Sequence, residues 1–192
     1  MSNLNIYHYT PKFNLSKLLK DGVIKRSQGF SEWEKPAVWL SCESFFENSA
    51  FFLHKQNNVL VKRKEREVNS LGKARIKINP SEIRTFTFNQ FKNISRISTR
   101  NFKTIQQFAE ECKSDPNMWR TCFSDIEKQK WEKIEIYNEK KLLWEDYQYL
   151  NNSLNKPDLF AYLKEIKSLV DYMDSNQKNR LSKQLTKIEN KL

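Results

Sequence analysis

His8 in the string YHYT, Arg75 in KARIKI and Glu135 in WEKIEIYN are far apart along the chain, and their types and settings could carry chemistry. An imidazole offers a donor and an acceptor near neutral pH, and a guanidinium offers a planar fork of donors for anionic oxygens. Glu135 lies between Ile134 and Ile136 on an alternating segment, so its carboxylate has to face solvent, a partner or a cleft. In a cleft a carboxylate could stabilise developing positive charge. Glu132 lies on the opposite face of the same segment and is the fallback carboxylate.

Other chemistries are excluded by composition. His8 and His54 are the only histidines, which rules out a multi-histidine metal site, and no metal is expected. Cys42, Cys112 and Cys122 form no CxxC pair and read as reduced, partly buried thiols. With 3 glycines and no G-x-G-x-x-G string, Rossmann and P-loop phosphate binding are ruled out. There is no leader-like first segment and no run approaching the roughly 18 apolar residues that cross a bilayer, so a soluble cytoplasmic protein with no membrane partner is expected.

The net charge of +11 is uneven. Residues 55 to 103 carry 13 Lys and Arg against 3 Asp and Glu, whereas the flanking stretches are near balance. A concentrated positive field favours polyanions, so a nucleic acid is the expected macromolecular partner, with a lysine-rich solvated surface as the plain alternative.

The elements that position these residues can be read from periodicity. Residues 4–10 alternate as a strand that places His8 with Ile6, and Asn14 to Gly22 read as a short helix with Asn14 as N-cap and Gly22 as its stop. Residues 25–36 read as a loop, 36–41 as a strand with Trp39 and Ser41 on one face, and FFENSAFFL as a buried helix. Residues 55–69 read as a mobile loop or exposed helix. Strands are predicted at 73–78, 84–88 and 131–138, with a helix at 102–112. In KARIKI the isoleucines face inward and Arg75 faces the other way. From Leu154 a basic helical hairpin is predicted, giving a catalytic domain at 1–153 and a hairpin at 154–192 packed on or extending it.

Taken together, His8 and Thr10 before a short helix ending at Gly22, Trp39 and Ser41 leading into a helix with Ser49 and Ala50, and the strand-borne Glu135 resemble the ADP-ribosyltransferase superfamily of diphtheria-toxin and poly(ADP-ribose) polymerase type. The resemblance covers residues 4 to 145, with Trp39 where the family usually has Tyr. It implies an α+β fold, a split β-sheet core with flanking helices, and NAD as substrate. Glu135 would stabilise the oxocarbenium-like ribose. His8 would bond the adenosine-side ribose with Thr10 beside it, while Trp39 and Ser41 would line the nicotinamide pocket and Arg75 would reach the pyrophosphate. The function expected is mono-ADP-ribosylation of RNA or DNA by a bacterial toxin or anti-phage effector, with an antitoxin as a further possible partner. The alternatives are an NAD glycohydrolase, an RNA 2′-phosphotransferase-like enzyme, or a non-catalytic nucleic-acid-binding module.

Overall fold

The computed structural model describes residues 4–29, 31–56 and 59–147. The predicted C-terminal hairpin lies outside them. Strand β1 (Ile6–Pro11) runs through a short 3₁₀ turn into α1 (Leu15–Asp21), and β2 (Val23–Ile24) follows. Next come β3 (Val38–Ser41), α2 (Asn48–Phe52), the hairpin of β4 (Leu53–Gln56) and β5 (Val59–Lys62), and α3 (Glu65–Leu71). The remainder is β6 (Lys73–Ile78), β7 (Phe86–Thr87), α4 (Phe88–Ser95), α5 (Thr99–Cys112), β8 (Trp119–Cys122), β9 (Ile126–Glu127), β10 (Trp131–Asn138) and β11 (Leu143–Asp146).

The fold is a mixed α+β arrangement of antiparallel sheets with flanking helices. Seven strands form one sheet in the order β11-β10-β6-β1-β3-β8-β7, and β2-β9 and β4-β5 are separate pairs. Both faces of the large sheet are covered. The inward residues of β6, namely Ala74, Ile76 and Ile78, are fully buried, as are Phe91 of α4 and Ala109 of α5 on the other side of the molecule's core. Phe88, Phe91, Phe102, Ile105 and Trp119 pack as one cluster against Trp39, so α4 and α5 are held to β3 and β8 by aromatic burial.

The joint between β1 and β3 is the seam of this sheet with the fewest registered positions. Strand β1 pairs with β6 along its whole length, from Ile6 opposite Ile78 to Pro11 opposite Lys73. Against β3 it registers only through Tyr7 opposite Ser41. Antiparallel strands normally exchange backbone bonds at every second residue. Beyond Tyr7 the link passes to a side chain, because His8 Nδ1 lies 3.0 Å from the Trp39 carbonyl oxygen.

Several elements depart from expectation, each for a local reason. Asn14 does not cap α1; its side-chain amide donates to Thr10 Oγ1 at 3.2 Å instead. Gly22 does close the helix, with φ of 66° in the left-handed region that glycine tolerates. Residues 55–69 hold the end of β4, β5 and much of α3 rather than a loop or a single exposed helix. The strand expected at 84–88 stops at Thr87, where its side chain and that of Gln90 form a reciprocal capping box and start α4. Ser98 caps α5 by accepting from the Asn101 amide, so that helix starts at Thr99, three residues before its predicted start.

Candidate functional site

A cavity of about 340 Å³ lies at the β1–β3 seam, lined among others by His8, Tyr9, Trp39, Ser41, Glu47 and Trp119. That volume falls at the lower end of the range for small-molecule sites. His8 comes from β1 and is half-buried. A carbonyl oxygen only accepts, so Nδ1 carries the proton in the bond to Trp39, and Nε2 is left as the acceptor. Burial pulls the imidazole below its ordinary range, against a weaker opposing pull from that carbonyl. A neutral ring with one fixed donor and one remaining acceptor suits a hydroxyl.

Trp39 serves core and cavity at once. Its ring centroid lies 4.7 Å from Phe91 and 5.9 Å, edge-on, from Trp119, which fixes the indole from the core side, and it also forms part of the cavity wall.

Ser41 is turned inward to a carboxylate that sequence reasoning did not single out. Glu47 is buried and receives bonds from Ser41 Oγ at 2.9 Å and Trp119 Nε1 at 2.8 Å on Oε2. On Oε1 it receives the Ser49 hydroxyl at 2.6 Å and the Ser49 amide at 3.3 Å. This satisfies a buried charge with donors instead of a cation. The string ESFFENSA holds no signal that separates Glu47 from Glu43, because its decisive partner, Trp119, arrives from another strand.

Arg75 and Glu135 are not among the residues that line this cavity. They meet each other. Register sets Tyr9, Arg75 and Glu135 side by side across β1, β6 and β10. Arg75 Nε donates to Glu135 Oε2 at 2.6 Å, and Lys133 Nζ reaches Oε1 at 3.0 Å. Arg75 and Glu135 are each only 7% exposed. The guanidinium lies 4.3 Å over Tyr7 and 4.4 Å over Trp144, and it donates to the Ser44 carbonyl. Alternation along β1 therefore sends His8 to the face opposite Tyr9, Arg75 and Glu135.

Tyr9 is common to both groups. It lines the cavity, donates its phenol to the Glu43 carbonyl at 2.5 Å, and receives Arg75 Nη1 at 3.4 Å. Burial drives its pKa strongly upward, so the hydroxyl stays a donor. Thr10 is buried beside His8 on the same strand face and accepts from Asn14; it is not part of the cavity lining. Glu132, the fallback carboxylate, pairs with Lys77 at 2.9 Å near the surface.

The free cysteines are buried, and burial raises the Cys42 and Cys112 thiols. No cluster of His, Cys, Asp and Glu among the described residues is arranged to hold a metal. No helix among them is long and apolar enough to cross a membrane. No protein-family model, curated protein or solved structure matches the chain.

Proposed function

We propose that this chain is an NAD-consuming mono-ADP-ribosyltransferase with a nucleic-acid acceptor, and that the dinucleotide enters at the β1–β3 seam. The observation that carries this reading is the seam itself. A strand pair reduced to one registered position, bridged by an imidazole and bordered by an indole-walled cavity, is what a split sheet built to admit a nucleotide needs. Support also comes from strand order, since β10 with Glu135 is two strands from β1 on one side and β3 with Trp39 is next to β1 on the other.

In this reading His8 Nε2 accepts from a ribose hydroxyl and Trp39 offers a flat apolar face. Arg75 and Glu135 lie outside the cavity lining and on the sheet face opposite His8, so this reading requires the β1–β3 seam to open before Arg75 and Lys133 meet the pyrophosphate and Glu135 stands against the ribose carbon, from which nicotinamide leaves with the electron pair of the C–N bond. An acceptor oxygen or nitrogen forms the new bond to that carbon and gives up its proton. A toxin or defence role, and an antitoxin partner, rest on the same resemblance.

A second reading, a nucleic-acid-binding module without catalysis, is favoured by one specific arrangement. Both oxygens of Glu135 are already bonded to cations, and Tyr9 bridges between that pair and the cavity. The two readings separate when the protein is incubated with NAD and pools of RNA, DNA and protein, followed by mass spectrometry for added ADP-ribose and assay of free nicotinamide. The first reading expects nicotinamide release that His8→Ala weakens through NAD binding and Glu135→Gln abolishes with folding and binding retained. No release and no adduct in any pool leaves the second.

A further inference from the structure

From Ile83 to Ala109 the chain contains Arg84, Lys92, Arg96, Arg100 and Lys103 and no Asp or Glu. All five cations are exposed. Among the described residues none of them has an ion-pair partner, in contrast to Arg26, Lys73, Lys77 and Lys133, which do. The tract folds as α4 and α5, whose inner residues Phe91 and Ile105 help to wall the cavity. Arg100 and Lys103 stand three residues apart on α5, away from the buried Phe102, Ile105 and Ala109. The α4–α5 turn is tied to the cavity rim by one backbone bond, Lys35 N–H to the Ser95 carbonyl at 2.9 Å. Lys35 lines the cavity, and Arg96 directly follows Ser95.

We infer that the exposed α4–α5 face, centred on Arg96, Arg100 and Lys103, is the docking surface for a nucleic-acid strand, which it carries past the Lys35 rim of the seam cavity. The inference deepens the reading above by placing its acceptor, and it stands on the charge and geometry of this face. Unpaired exposed cations on a helical, acid-free surface gain by releasing counterions from a phosphate backbone, a gain that paired lysines elsewhere on the molecule have partly spent on their own carboxylates.

The test is fluorescence anisotropy of the full chain with labelled oligouridylate and oligothymidylate of about 16 nucleotides, without NAD. The triple variant Arg96→Asn, Arg100→Gln, Lys103→Gln removes charge without reversing it, and Asn tolerates the left-handed backbone of position 96, where φ is 63°. Loss of three phosphate contacts lowers the slope of log affinity against log salt by about 2, so at low salt the variant binds at least about tenfold more weakly. The control Lys17→Gln, Lys20→Gln on exposed α1 retains wild-type binding, and circular dichroism checks the fold of each. Wild-type affinity and slope in the triple variant overturn the inference. So does a wild-type protein that binds polyglutamate and neither oligonucleotide, which would assign the face to an acidic protein. Oligonucleotide binding that falls in the triple variant, in a protein that never releases nicotinamide, upholds the docking surface and removes the transferase reading.

Discussion

The seam cavity and the Arg75–Glu135 cluster both contain a buried carboxylate, and they treat it differently. At the cavity, Glu47 is held by two serines and an indole, neutral donors that satisfy the charge while leaving room beside it. In the cluster, Glu135 is gripped by two cations, and the guanidinium is sandwiched between aromatic rings. Neutral donors build a wall. Opposed charges build a clamp, and removing one member of such a buried pair is costly. The difference gives the seam a neutral, shaped wall and β6 and β10 a closed ion pair, with Tyr9 touching both.

The sharpest way to break this contrast is Arg75→Ala. It leaves the Glu135 carboxylate, 7% exposed, with Lys133 as its one remaining cation and empties the space between Tyr7 and Trp144, and a loss of about 3 kcal/mol is expected in urea unfolding. The double substitution Arg75→Met with Glu135→Leu removes both charges and is expected to recover most of that stability. A double variant as unstable as the single one would mean that the aromatic sandwich, and not the ion pair, holds this region. Glu47→Ala comes next. It leaves the Trp119 Nε1–H without its acceptor, and the two serine hydroxyls can rotate to other partners, so about 1–3 kcal/mol is expected. A cost above that of Arg75→Ala would invert the comparison. Tyr9→Phe is smaller, at about 1 kcal/mol for the lost bond to the Glu43 carbonyl.

Alternation and stop signals made the seam strands legible: β1, β3, β6 and β10 follow from their patterns, and α1 follows from Leu15, Leu18 and Gly22. So does the face on which Arg75 projects. Its burial does not, because the cover comes from Tyr7 on β1 and Trp144 on β11, and nothing near KARIKI records them. The segment RTFTFNQF carries a strand composition, yet Thr87 and Gln90 can satisfy each other's backbone amides only at a helix start, and that local gain cuts β7 short. Polar strings such as LHKQ hide β4 because no apolar alternation marks them. For the candidate site, His8 and Trp39 were legible as types on strands. What was not legible is that β1 alternation turns His8 and Glu135 to opposite faces, since this depends on the register of three strands at once.

The smallest effect isolates the seam from the clamp through protons alone. Burial lowers the His8 pKa in the folded protein, so on acidification the unfolded chain takes up its proton first, near the ordinary value of about 6.5. Stability contributed by the neutral ring is full above that value, falls as pH drops below it, and levels off once the folded imidazole also protonates. Protonation leaves the Nδ1–H bond to Trp39 in place but turns Nε2 into a donor, so the cavity loses its acceptor in the same window. The wild type minus His8→Gln difference in urea midpoint, measured from pH 7.5 to pH 5 in about half-unit steps, is therefore expected to shrink with acidification. A difference that stays flat would show the imidazole to be solvated and the seam to be held by Tyr7 and Ser41 alone. A difference that grows would give the ring an anionic neighbour and place a charge pair at the seam as well as in the clamp.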